Sequence, residues 1–245
     1  MNNVFKYYLY FILIAFVYSN QSIAVVTKSK GDVQYKKFSE SDSKILLVGS
    51  ELFNDDYIKT GVDGYVKFSY LDDGTTIKIH KNSELYVAGK SENKVINKRL
   101  NIGNGLIKMD VSKQKEEEFK IVTPTSVASV KGTSFILDSN LDFGDKFYGF
   151  EGIVEIVNKE SNKIIRLSRN LKVVSQPDGQ ITSEIMTPLD INAINEIQSS
   201  VNEDILDQNI IDDTDIDINQ NQKEIKIKVV SPTGEEKEII IKYSE

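Results

Sequence analysis

Four short segments open on glycine and continue with alternating apolar and polar residues: Gly64-Tyr65-Val66-Lys67-Phe68, Gly105-Leu106-Ile107-Lys108-Met109, Gly132-Thr133-Ser134-Phe135 and Gly152-Ile153-Val154-Glu155-Ile156. A glycine able to take positive φ lets the chain turn sharply, and a period of two puts successive side chains on opposite faces of a strand. The repeated device restricts the chain to an all-β scaffold. Further alternating pieces are Ile77 with Ile79 after the Asp72-Asp73-Gly74 turn, Leu85 with Val87, Phe119 with Ile121, and Phe135 with Leu137. Each is too short to stand alone. Stacked, they bury one continuous apolar row, which is the logic of an irregular β-solenoid with unequal coils.

Residues 1–24 read as a secretory leader. Lys6 precedes the apolar run Tyr7 to Val17, and Ser22 and Ala24 supply small residues for cleavage after Ala24. The run is shorter than the roughly 20 apolar residues of a membrane-spanning helix, so no stable span is expected after cleavage. The expectation is export to the periplasm or cell envelope. The chain has no cysteine, which excludes disulfides, thiolate metal sites and thiol nucleophiles.

Charge divides the rest. From Val173 to Gln222 there is no Lys, Arg or His but there are 11 acids, and 13 of the 14 glycines fall between Gly31 and Gly179. Such shifts mark a boundary. The reading is a β domain over 25–175, an acidic linker over 176–222 and a C-terminal β-hairpin over 223–245. Within the linker, Thr187, Pro188 and Asp190 form a helix start, and Ile194, Ile197, Val201 and Ile205 follow at helical spacing, which predicts a helix over about 188–206. In the last section Ile225, Ile227 and Val229 alternate before the Ser231-Pro232-Thr233-Gly234 turn. The rest of the chain is only mildly basic and lacks clustered Lys and Arg, so no nucleic-acid partner is expected.

The stretch Asp56 to Phe68, with Thr60, Gly61 and Gly64, then Asp73-Gly74-Thr75-Thr76-Ile77, resembles the front half of a FecR domain. Phe119 to Pro124, with Thr123 before Pro124, followed by Gly132-Thr133-Ser134-Phe135 and Glu151-Gly152-Ile153-Val154, resembles the back half. The resemblance runs from about Gly31 to Val174. Lys131 stands where the family often has arginine. The resemblance implies a periplasmic, solenoid-like module for protein contact and signalling, without enzymatic activity or cofactor. The iron-uptake regulators of that family resemble a design with a cytoplasmic sigma-factor-binding segment. Here six residues precede the apolar run, so the expectation is a free-standing exported member that binds an envelope protein.

Catalytic readings find little support in the sequence. His80 is the single histidine, and strand alternation places it on the solvated face opposite Ile77 and Ile79. Ser126 and Ser129 lie near Lys131 without the Ser-x-x-Lys spacing, and Asp72, Asp73 and Glu151 are scattered carboxylates. Asp213, Asp215 and Asp217 with Glu224 have the alternation of a calcium loop, but Ile218 occupies the position that needs glycine; no metal is expected. A cell-wall glycan is the second candidate partner, for which Tyr35, Tyr57, Tyr65 and Tyr86 would supply stacking rings.

Overall fold

The computed structural model describes residues 21–114 and 117–196 and the backbone strands 216–217, 224–230 and 236–242. The chain divides into two compact units, Met1–Met186 and Thr187–Glu245. The expected leader, apart from its last four residues, lies outside the described residues. Among the described residues, no helix is long and apolar enough to cross a membrane.

In the first unit, alternating apolar residues generate strands β1 (Ala24–Lys30), β2 (Val33–Lys36), β3 (Lys44–Ile45), β4 (Glu51–Leu52), β5 (Asp56–Thr60), β6 (Tyr65–Tyr70), β7 (Thr76–Ile79), β8 (Glu84–Glu92) and β9 (Val95–Val111). They continue as β10 (Phe119–Val122), β11 (Ser126–Val130), β12 (Thr133–Asn140), β13 (Gly144–Glu151), β14 (Val154–Asn158), β15 (Ile164–Leu167), β16 (Leu171–Ser175) and β17 (Ile181–Ile185).

These strands make two facing layers. Sheet A runs β4, β1, β6, β7, β9, β12, β13, β16, β17. Sheet B runs β3, β2, β5, β8, β9, β10, β11, β14, β15. Their inner faces share one core, in which Phe68, Ile77, Met109, Phe135 and Phe147 of sheet A are buried with Leu85, Leu100, Phe119 and Ile121 of sheet B. The rings of Tyr70 and Phe119 meet edge to face across the layers at 5.7 Å.

β9 belongs to both sheets. Its first half pairs with β8 and β10 in sheet B, and its second half pairs with β7 and β12 in sheet A. The change of sheet falls at Gly103-Asn104-Gly105. Gly105 has φ +124, and a Cβ there would lie 2.1 Å from Ser83 Oγ, so only glycine lets this strand cross so close to its neighbour. The chain then returns to sheet B, and β10 lies parallel to β9 while the other described pairs are antiparallel. The segment from β9 to β10 therefore makes one full turn around the two layers. Elsewhere hairpins alternate between the layers, and the chain advances along both sheets by antiparallel pairs.

The domain uses more chain than the expected 25–175. Ile23 and Ala24, assigned above to the leader, are buried; Ile23 N donates to Leu52 O at 2.9 Å and Ile23 O accepts from Leu71 N at 3.0 Å. At the other end β17 pairs with β16, and Met186 N donates to Asn170 O.

In the second unit a helix starts at 188 and is described to 196. Thr187 Oγ1 accepts from Asp190 N, and Asp190 Oδ2 accepts from both Thr187 N (2.8 Å) and Thr187 Oγ1 (2.6 Å). The expected capping box is thus formed, with aspartate in the glutamate position. Ile197, Val201 and Ile205 lie outside the described residues. Strands β18 (Ile216–Asp217), β19 (Glu224–Val230) and β20 (Glu236–Lys242) follow, and β19 pairs with β20 as an antiparallel hairpin.

Candidate functional site

The residues singled out by the FecR resemblance gather along the two lateral edges, where the chain turns or changes sheet. On the first edge, Thr60 Oγ1 donates to His80 O at 2.7 Å and accepts from Ser83 N at 2.9 Å. Gly61 N donates to Asp32 O, and Asn82 N donates to Gly61 O; a Cβ on Gly64 would lie 2.3 Å from Asp32 O. Farther along, Thr123 Oγ1 donates to Asp145 Oδ2 at 2.6 Å while accepting from Thr125 N and Ser126 N, and Ser139 Oγ donates to Asp145 Oδ1 at 2.7 Å. Asp145 is fully buried, and burial raises its pKa above the ordinary carboxylate value. These contacts pin sheet B to sheet A. Pro124 beside them is exposed, and Phe135 lies in the core.

On the second edge Asp73 accepts from Thr75 N at 2.8 Å and meets Lys98 Nζ at 2.9 Å. Lys98 also pairs with Asp72 at 2.7 Å, with the lysine side chain 1% exposed. Burial would raise the Asp73 pKa, but the hydrogen bonds from Thr75, Lys98 and Gln114 outweigh it and lower the value. Next to this network Gly152 takes φ +73, and a Cβ there would sit 2.5 Å from Gly132 O and 2.6 Å from Thr133 Cγ2. The two changes of sheet, β11 to β12 and β13 to β14, are stacked in contact.

The stacked changes of sheet wall a groove of about 1030 Å³. Gly74, Gly132, Thr133, Glu151 and Gly152 all line it, so five of the twelve residues marked by the resemblance meet at one surface feature. Its charged rim carries both signs: Lys131 pairs with Glu118 at 3.1 Å, and Arg166 with Glu155 at 3.5 Å. Ser129 and Ser134 add hydroxyls. The Thr133 hydroxyl is buried and finds no hydrogen-bond partner. A polar wall with paired rim charges suits reversible contact with another polar backbone or side chain.

Two sequence expectations change here. His80 is not solvated: it is 8% exposed and meets the Tyr65 ring edge-on at 5.5 Å. His80 keeps the outward side that alternation assigns, its N donating to Leu106 O beyond the Ile79–Ile107 pair, and Tyr65 on the same face covers it there. Burial, then the charges of Lys108 and Lys78, push its pKa down to about 4. Of the four candidate sugar-stacking tyrosines, Tyr65 is buried and Tyr35 packs against the core. Tyr57 and Tyr86 do share the outer face of sheet B, with ring centroids 4.9 Å apart and Tyr57 Oη donating to Glu84 at 2.7 Å.

Asp72 and Asp73 are committed to Lys98, while Glu151 stands exposed at the groove. Asp213 and Asp215 lie outside the described residues. The backbones of Asp217 and Glu224 are in β18 and β19, paired with Lys226 and Lys242. No cluster of metal-ligating side chains occurs among the described residues. Lys98 and Asp145 went unmarked in the sequence, although both occupy inward positions, Lys98 between Ile96 and Leu100 and Asp145 two residues before Phe147. A polar residue in an apolar alternation was the available signal.

Residues 56–146 match the family model for FecR protein. Two crystal structures of a candidate anti-sigma factor from Parabacteroides distasonis ATCC 8503 align at 17% and 16% identity, with TM-scores of 0.47 and 0.46. The alignments cover 56% of this chain and 62% and 63% of those chains, less than two thirds of their length. No curated protein matches the chain.

Proposed function

With a FecR domain over residues 56–146 as the premise, we propose that this is a non-catalytic sensing or regulatory protein, exported to the periplasm or cell envelope, that works by binding a protein partner in the second-edge groove. The observation that carries the reading is the convergence of Gly74, Gly132, Thr133, Glu151 and Gly152 on that groove. Their backbone demands are structural, yet their shared location leaves a polar concave surface. The test is site-specific photo-crosslinking in the native cell envelope, with the crosslinker at Ser129 in the groove or at Lys163 in the β14–β15 turn. A defined product from Ser129, absent from Lys163 and abolished by Lys131→Glu in a folded chain, is expected. Equal products from both positions, or indifference to Lys131→Glu, would sink the reading.

The tyrosine pair supports a second reading, binding of a cell-wall glycan on the outer face of sheet B. Tyr86 is 48% exposed and meets the Tyr57 ring at a tilt of 48°, leaving an amphipathic ring surface of the kind sugars use. Sedimentation with purified peptidoglycan, lost in Tyr86→Ala, would support it; sedimentation equal in both chains would remove it.

A further inference from the structure

Four lysines stand directly opposite one another on the outer face of sheet A. Lys28 on β1 is paired with Lys67 on β6, Lys67 with Lys78 on β7, and Lys78 with Lys108 on β9. At about 4.8 Å between strands the row is about 14 Å long. Like charges in direct cross-strand pairs are destabilising, so the fold is carrying an unfavourable arrangement in four consecutive strands. One outward carboxylate, Asp110, serves this part of the face; it pairs with Lys78 at 2.9 Å. Lys28 Nζ is buried, without a hydrogen-bond partner, 5.5 Å from the centre of the Tyr65 ring, so the charges the row offers to solvent are those of Lys67, Lys78 and Lys108. Burial holds the Lys108 ammonium below its ordinary pKa, and Lys78 adds to that against the opposing pull of Asp110.

We propose that Lys67, Lys78 and Lys108 of this row form a docking surface for an acidic peptide segment of a protein partner. The proposal rests on the protein-contact reading above and adds the chemistry of what is contacted. Charge complementarity selects an anion, and the geometry selects a peptide. An extended chain advances about 3.4 Å per residue, so about three residues rich in Asp or Glu cover the distance from Lys67 to Lys108. A glycan would need an open ring to stack on, but on these strands Tyr65 is buried, and Phe150 lies beneath Lys108 at 6.0 Å. On sheet B Lys59 stands beside Glu84, and Lys120 beside Arg99 makes a pair of like charges rather than a row.

The experiment uses the full chain and a fluorescent peptide of eight glutamates, with an eight-glutamine peptide as the blank, read by anisotropy at low and high salt. Salt-sensitive binding of the glutamate peptide alone is expected, weakened tenfold or more in Lys67→Gln/Lys78→Gln and retained in Lys67→Arg/Lys78→Arg. The arginine variant separates lost charge from lost folding. Unchanged affinity in the glutamine variant overturns the proposal, as does tighter, row-dependent binding to vesicles containing phosphatidylserine or to a sulfated polysaccharide. Failure here with an intact Ser129 crosslink would discard the acidic docking surface and leave the protein-contact reading standing.

Discussion

Lys98 Nζ lies 2.7 Å from Asp72 Oδ2, joining the sheet B half of β9 to the β6–β7 turn of sheet A through an ion pair that solvent scarcely reaches. Asp73 adds a second carboxylate at 2.9 Å, Asp72 also accepts from Ile96 N, and the ammonium lies over the Tyr70 ring. Removing one partner of such a pair leaves a buried charge alone. Lys98→Met should therefore destabilise the domain by about 3–5 kcal/mol, and Lys98→Met/Asp72→Asn should recover part of the loss. Urea unfolding of the three chains checks this, and additive losses would contradict the coupling.

The contact between Gly152 and Gly132 gives a second expectation. A Cβ at Gly152 meets carbonyl and side-chain atoms within 2.6 Å at φ +73, whereas at Gly132, with φ +155, the nearest atom is Lys113 Cα at 3.2 Å. Gly152→Ala should cost about 1–3 kcal/mol in backbone strain before any clash is added. Gly132→Val should also lower the melting temperature, and Gly152→Ala should equal or exceed it although it adds fewer atoms. Thermal melts that rank them the other way would contradict this.

His80 predicts a pH response. Its folded-state pKa is about 4, below the ordinary 6.5, so between those values the unfolded chain binds the extra proton and stability falls as pH falls. Full stability from this group is present above pH 6.5. The loss by pH 4 is about 3 kcal/mol. His80→Phe keeps a ring against Tyr65 and should flatten the profile in that window; an equally steep decline would assign the effect to other groups. Since His80 is buried, His80→Ala should reduce stability, which makes it a poor test for catalysis.

Asp145 behaves in the opposite sense. Its raised pKa means the folded chain holds the proton longer, so its contribution is largest below the ordinary value of 3.8 and declines as pH rises through the folded value. Asp145→Asn should remove that slope with little loss at neutral pH, because the Thr123 and Ser139 hydroxyls can rearrange around an amide. Asp145→Ala strands both hydroxyls and should cost about 1–3 kcal/mol for each one left unpaired. Denaturant midpoints across about pH 3 to 7, spanning the ordinary carboxylate range, separate the two substitutions.

Much of the architecture was legible because strand formation depends on a period of two. Val66 with Phe68, Ile77 with Ile79 and Ile107 with Met109 all face the core as the alternation requires, and Thr187 with Asp190 caps the helix as spacing alone predicts. Alternation states which face a residue is on but not what covers that face. His80 keeps the outward side, where Tyr65 packs on its ring and leaves it 8% exposed.

Strands, their glycine-bearing turns and the helix cap follow from local sequence, because each depends on residues within a few positions of one another. Pairing emerges only in three dimensions. Nothing local says that β9 will change sheets at Gly105 and lay β10 parallel beside its own first half, that Lys98 will find Asp72, or that four lysines from four strands will fall into one row. Those relationships join residues roughly 10 to 40 positions apart. They exist because two sheets must share one apolar interior, and the register that buries it carries every polar residue along to whatever lies opposite.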